Sequence, residues 1–444
     1  MSNGGPGDPF VIVGAGLAGP LMATLLGRAG HRVLLLEQRA DPRWGSAEAG
    51  RSINLALSAR GLHALEQVGL RGEIQSAAIP LHGRMIHPVR GPLAFQPYGT
   101  EGNAINSVSR ADLNIALLNA AERSGEVTIR FGRRCHDLDP VAGWVESVDA
   151  ALGGDAERHA GTILGADGAY SAVRGRLQRR ERFDYSQMYL AHGYKELHIA
   201  PGPKGAPRLE PHALHIWPRG GYMMMAMANR DGSFTVTLYL AFEGPNSFAK
   251  LRTPDDVLRF FDRTFPDAPA LLPGLAQDFF ANPTGTLVTI RSRPWHVEGA
   301  VVLLGDACHA IVPFFGQGAN AAFEDCVALA AALDRHPGDR ARAFEEYEAE
   351  RLPQANAIAD LALANFHEMR DRVASALFRL EKRGEVLLHR LFPRWFVPLY
   401  TMISFTRIPY AVARARARRQ ARVLRAILAL LGLVVAVAVW KLIR

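Results

Sequence analysis

Cysteine is scarce in this chain of 444 residues, which contains only Cys135, Cys308 and Cys326. The three make neither a CxxC pair nor a Cys/His spacing of the kind that ligates zinc, so no metal site is expected. An odd, sparse count also suits a reducing compartment better than a disulfide framework. The N-terminus lacks a charged segment followed by an apolar run, so no signal peptide is expected and the protein is expected to stay inside the cell. No internal repeat or low-complexity stretch precedes the C-terminal basic segment, and only one GxGxxG unit occurs. A second dinucleotide would have to bind without a dinucleotide domain of its own.

Acidic residues are missing altogether from residues 411–444, which hold seven arginines and one lysine. That segment accounts for the whole net charge of +8 and leaves a body with 43 basic and 43 acidic residues. A neutral body argues against nucleic acid as a partner. The arginines 414, 416, 418, 419, 422 and 425 directly precede the apolar run 426–440. A basic cluster followed by a greasy run is the order of a membrane anchor with its basic end on the cytoplasmic side. Extended to residue 443, the run would reach roughly 27 Å as a helix, against a hydrocarbon core of about 30 Å. A cytoplasmic body tethered to a membrane is the expectation, with a terminal helix packed on the body as the alternative.

At the N-terminus, Phe10-Val11-Ile12-Val13 reads as a buried strand, followed by Gly14-Ala15-Gly16-Leu17-Ala18-Gly19 and a helical pattern through Leu21, Leu25 and Leu26. Gly14 allows the tight turn and Gly16 lets backbone approach a pyrophosphate. Gly19 lets helix and strand pack closely, with the phosphates at the helix N-terminus. The next strand, His31 to Leu36, ends at Glu37, 18 residues after Gly19 and near the spacing of a carboxylate that binds ribose hydroxyls. An acid there would repel a 2′-phosphate, which leaves FAD or NAD for this site.

Further on, Ser109 reads as the N-cap of a helix with Asp112 three residues later, and Arg110 as a cation that faces a cofactor phosphate or solvent. Asp167-Gly168 ends a strand and precedes a helix. Residues 188–242 carry short β-rich runs and are expected to form a separate antiparallel sheet. The strand 300–304 leads into Gly305-Asp306-Ala307-Cys308-His309-Ala310-Ile311-Val312-Pro313-Phe314-Phe315-Gly316-Gln317-Gly318-Ala319-Asn320. Residues 320–369 are then mostly helical. If the strand endings at Gly14, Asp167 and Gly305 meet at one sheet edge, they can hold one long cofactor. Asp306 would then bind a ribityl or phosphate-side hydroxyl, and the amides of Gly318, Ala319 and Asn320 would face the flavin ring. His309 is expected to be structural or flavin-side rather than catalytic.

These three motifs together resemble the FAD-dependent aromatic hydroxylases, the class A flavoprotein monooxygenases. Residues 50–58, 96–99, 231–238, 314–318 and 398–402 narrow the resemblance to the branch that hydroxylates L-kynurenine. The resemblance implies an α/β fold: a doubly wound Rossmann-type FAD-binding domain, an antiparallel substrate domain and a helical C-terminal part ending in a hydrophobic tail. The expected divisions are 1–79, 105–180 and 287–370 for FAD, 80–104 and 181–286 for substrate, 371–410 for C-terminal helices and 411–444 for the tail. It implies FAD as bound cofactor, NADPH and O2 as co-substrates, oxygen capture at the flavin C4a carbon and transfer of one oxygen atom to the ring. It also implies Arg39, Ala56 and Cys135 as cofactor residues.

A hairpin around residues 88–92 would make Arg84 and Tyr98 diagonal neighbours on one face. The resemblance makes them the grip on the substrate carboxylate, a task for which Arg is the usual bidentate choice. It adds Asn365, Tyr400 and, one helical turn after Asn365, Met369; Phe314 and Phe315 would wall the ring. Two departures stand out, Ala319 where methionine is common and Cys308 where alanine is frequent. A hydroxylase of another aromatic acid, a membrane-tethered flavoprotein reductase and a non-catalytic FAD-binding scaffold remain open on sequence alone.

Overall fold

A computed structural model describes residues 8–44, 54–99, 102–372, 384–385 and 387–443, excepting the side chains of 371–372, 428–439 and 441–443. The part of the 50–58 segment before Asn54 and most of the apolar run 426–440 therefore lie outside the described side chains.

Four short apolar runs build the first sheet. Phe10–Val13, Val33–Leu36, Thr162–Gly165 and Val301–Leu303 pair in parallel, with Val127–Arg130 at one edge and the antiparallel His296–Val297 at the other. Strands covered on both faces read as continuous hydrophobic runs, which these four do. The helix Ala18–Arg28 packs against both Arg110–Glu122 and Gly318–Arg335 in the same core. A three-stranded antiparallel sheet, residues 133–160, adds Cys135, Leu138 and Val145 to that core.

The second large sheet has seven strands in the order Thr284–Arg293, Asp184–Ile199, Phe234–Ala241, Met223–Ala228, Ala213–Pro218, Gly83–Ile86 and Ala94–Pro97. All neighbours are antiparallel except Ala213–Pro218 with Gly83–Ile86. Its first strand runs across the division expected at residue 287. Period-2 alternation gives the sheet two faces. Val236, Leu238 and Leu240 pack with Phe260, Phe261 and Phe279. Thr235, Thr237 and Tyr239 turn the other way, into a cavity. The helix Pro254–Thr264 that covers the first face starts with a capping box, Thr253 and Asp256 each bonding the other's backbone N–H, and has proline in its first turn.

The long helix Arg340–His367 passes into a π-helical turn, Glu368–Arg372, that brings Met369 to the cavity. The helices Leu399–Ser404 and Tyr410–Ile443 follow. No helix among the described residues is long and apolar enough to cross a membrane.

Candidate active site

One cavity of about 740 Å³ lies between the two sheets. At one end it meets the loops that follow Phe10–Val13, Thr162–Gly165 and Val301–Leu303, three neighbouring parallel strands, so the motifs at Gly14, Asp167 and Gly305 share one sheet edge. The glycines divide their tasks as their spacing predicts. A Cβ on Gly19 would sit 1.9 Å from the Gly14 carbonyl oxygen, and one on Gly14, at φ +104°, would sit 2.5 Å from the Ala166 oxygen. These two close the turn and lie outside the cavity wall. Gly16 borders the cavity and has nothing within 4 Å of where a Cβ would point, so a phosphate can approach its backbone. The helix Ala18–Arg28 begins there without a side-chain cap, leaving its first N–H groups for an anion.

Glu37 does something the spacing did not reveal. Its buried carboxylate accepts from Ala15 N–H at 2.7 Å and from Arg39 N–H at 3.0 Å, and pairs with the Arg39 side chain at 2.8 Å. Burial pushes its pKa up, but the bonds from Arg39 and Ala15 outweigh that and hold it below the usual range. Glu37 thereby fixes the glycine loop itself, and neither it nor Arg39 lines the cavity.

Asp306 opens onto the cavity yet lies deep, and poor solvation raises its pKa, an effect that His309 and Arg110 oppose. Arg110 also lines the cavity, at the start of a helix whose Ser109 cap accepts from Asp112 N–H. Ala56, Gly318 and Ala319 complete this end. Asn320 lies outside the wall and acts as a staple. Its amide oxygen accepts from Ser58 and Gly61 N–H, and its amide nitrogen donates to the carbonyls of Ala56 and Gly316, all between 2.8 and 3.2 Å. Cys135 is buried on Arg133–Asp139, away from the wall, where burial pushes its thiol up to about 12.

The opposite end is aromatic with one cation. In the hairpin Arg84 pairs with Gln96, which makes Tyr98 its diagonal neighbour. The Arg84 guanidinium carbon lies 5.7 Å from the Tyr98 ring centre and 5.0 Å from that of Tyr400, and the two tyrosines stack at 4.9 Å. Burial works against the charge on Arg84, and Tyr400, Tyr98 and Glu368 more than offset it, so its pKa is raised. Its Nε is buried without a hydrogen-bond partner among the described residues. A buried donor left unpaired costs about 1–3 kcal/mol, a deficit that an anionic ligand would remove. Between the two ends stand Phe314, stacked on Phe366 at 4.3 Å, and Phe315, stacked on Tyr400 at 5.7 Å. Asn365 is outside the wall and donates to the Phe314 carbonyl at 2.6 Å and to Met369 Sδ at 3.3 Å, so the i, i+4 pair shares a face.

The sequence reading missed Tyr194, Met225, Met227, Thr235, Thr237 and Tyr239, which also line the cavity. For the five on Met223–Ala228 and Phe234–Ala241 the period-2 spacing was the available signal; Tyr194 lies on Asp184–Ile199.

Residues 9–362 match the FAD binding domain family. The chain is 49% identical over 407 residues to kynurenine 3-monooxygenase of Myxococcus xanthus, covering 91% of this chain and 88% of that protein. It is 46% identical over 440 residues to the enzyme of the same name from Salinispora tropica, covering 98% and 97%. The chain belongs to the kynurenine 3-monooxygenase family. More distant solved structures share the fold of this family. They include 2-methyl-3-hydroxypyridine-5-carboxylic acid oxygenase, with a TM-score of 0.68 at 20% identity over 86% of this chain and 97% of the other. Another is p-nitrophenol 4-monooxygenase of Pseudomonas putida, with a TM-score of 0.65 at 20% identity over 86% and 93%. The family's FAD fits this site, because the phosphate-accessible Gly16, the uncapped helix and the acid Asp306 lie on one continuous wall.

Proposed function

We propose that this chain hydroxylates L-kynurenine to 3-hydroxy-L-kynurenine, using FAD, NADPH and O2. The observation that carries the reading is the single cavity with a dinucleotide loop at one end and Arg84, ringed by Tyr98 and Tyr400, at the other. FAD, bound at Gly16, Arg110, Asp306 and Gly318–Ala319, supplies hydride acceptance and oxygen activation. Arg84 takes the substrate carboxylate and Tyr98 and Tyr400 fix the guanidinium plane. Phe314 and Phe315 flank the ring and keep water from it, and Asn365 holds the Phe314 backbone in place. The ring amine already activates the neighbouring carbon, so no protein nucleophile is required. Glu37 and Arg39 support the cofactor through the loop they clamp.

Purified protein given NADPH, O2 and L-kynurenine should consume NADPH faster than without the aromatic compound and release the 3-hydroxy product in near-equal amount. Unstimulated NADPH loss, or peroxide alone, would refute the substrate assignment.

We further infer that the tail rests on a membrane. The supporting facts are the eight positive charges of residues 411–444 and the exposed Leu387, Leu391, Phe392 and Trp395 near the start of the last helix. Arg416 and Gln420 of that helix donate to the carbonyls of Arg394 and Trp395.

A further inference from the structure

The turn Gly316–Gln317–Gly318 borders the cavity through its two glycines, while the Gln317 side chain points away and is only 1% exposed. Gly316 sits at φ +63°, a left-handed conformation that glycine enters without steric cost, so the placement of the turn is left to the contacts of its neighbours. The Gln317 amide oxygen accepts from the Tyr410 hydroxyl at 2.9 Å and, more weakly, from Ser58 Oγ at 3.5 Å. Tyr410 is fully buried and opens the last helix, more than ninety positions away in sequence. Its ring lies under the Arg60 guanidinium at 3.9 Å.

Arg60 is 1% exposed and spends its donors on the same region: Nε on the Ile403 carbonyl at 2.9 Å, Nη2 on the carbonyls of Met402 and Ile408, and Nη1 on Glu324 at 2.7 Å. It thereby fixes the segment that joins two contacts with the cavity. Upstream is Tyr400, in the wall beside Arg84; downstream is Tyr410, behind the glycine turn. The Tyr410 hydroxyl gives the buried amide its shorter, directional bond, and a phenylalanine of the same shape would remove only that bond.

We infer that Tyr410 is a positioning residue: through Gln317 it sets the backbone of Gly316–Gly318 against the cofactor, while Arg60 fixes where Tyr410 stands. The inference rests on FAD occupying the cavity as proposed above. Its consequence is that the start of the C-terminal helix belongs to the active site, independently of what the rest of the tail does.

The test uses full-length holoenzyme and the variants Tyr410→Phe, Gln317→Leu and their double. Three readouts report on the turn: the rate at which FAD leaves on dilution, the visible circular dichroism of the bound flavin, and the fraction of NADPH oxidation that yields hydroxylated product. Tyr410→Phe should speed FAD release roughly fivefold to tenfold, as expected for one hydrogen bond. It should also alter the flavin dichroism and lower the coupled fraction, with the KM for the aromatic substrate within about twofold of wild type. Gln317→Leu should do at least as much, since it also removes the weaker contact with Ser58, and the double variant should be no worse than Gln317→Leu, because the bond that Tyr410→Phe removes is already gone there. Lowered thermal stability with all three readouts intact would make Tyr410 merely structural and overturn the inference, as would additive effects in the double variant. A wild-type protein that binds no FAD would instead refute the cofactor reading.

Discussion

Arg84 is buried among aromatic rings, and its Nε has no hydrogen-bond partner among the described residues. A buried guanidinium with one N–H left over is poorly explained by stability and well explained by an anionic ligand, because an unsatisfied buried donor is unfavourable. Arg84→Met should therefore raise KM for the aromatic substrate by about 10- to 100-fold, the range of a lost charge-assisted hydrogen bond pair. Bound FAD should be unchanged, as read from the ratio of flavin absorbance to protein. Loss of flavin in this variant would contradict the assigned role. Arg84 and Tyr98 were legible in the sequence because a hairpin fixes its register locally, and the observed pairing of Arg84 with Gln96 is the symmetric one. Glu37 was legible as a residue but not in its contacts. Spacing alone could place an acid at the end of the second strand, whereas its bond to Ala15 N–H depends on how the glycine loop folds back. Tyr410 and Arg60 were not legible at all, since nothing in a window of neighbouring residues relates position 60 to position 410.

Among the elements, the motif 305–320 does its work by joining three helices. His309, at the end of the short helix Asp306–His309, meets Asp325 of Gly318–Arg335 at 2.5 Å, and Asp325 meets Arg351 of Arg340–His367 at 2.8 Å. Asp325 also accepts from Gly305 N–H at 3.1 Å, so one buried carboxylate locks the loop that begins the motif. Burial opposes the charge on each partner, but the pairing prevails: Asp325 is pulled down to about 2 and His309 is raised well above its ordinary value. The two shifts act in different pH windows. Asp325's contribution is complete above about pH 4 and is lost as pH falls toward 2. His309's contribution is complete below about pH 6.5 and fades as pH rises through its raised value. The unfolding temperature of the wild type should thus fall as pH is raised from neutrality into the alkaline range. Asp325→Asn should be less stable by about 3–5 kcal/mol, because buried His309 loses its counter-ion and Arg351 keeps only Glu324, and its alkaline decline should be flatter. A wild-type and a variant profile that run parallel from pH 6.5 upward would sink this account. From its neighbours in the chain, His309 could be expected only to be structural or flavin-side. Which acid it meets was hidden, because Asp325 lies 16 positions away on a different helix.

For the molecule as a whole, charge is segregated in a way the fold preserves. The body is balanced, and the excess of eight positive charges sits on residues 411–444, most of them on the helix Tyr410–Ile443. The first turns are tied down, with Arg414 paired to Asp360 at 2.6 Å and Gln420 bonded to the Trp395 carbonyl at 3.0 Å. Past them Val423 and Ile427 are exposed, and Trp395, whose carbonyl meets Gln420, is 83% exposed. Arginines next to exposed Trp, Phe and Leu match an anionic bilayer surface, to which each basic residue contributes about 1 kcal/mol at low salt. Full-length protein should float with vesicles containing anionic lipid, and a chain ending at residue 425 should bind them at least tenfold more weakly. Since Tyr400 and Tyr410 remain in that shortened chain, its flavin content and its hydroxylation rate in solution should stay within about twofold of the full-length values. Equal flotation of both forms would remove residues 426–444 from any part in membrane contact. A shortened chain that still floats only at low ionic strength would trace the contact to the arginines rather than to the apolar run, because charge attraction is screened by salt and burial of apolar surface is not.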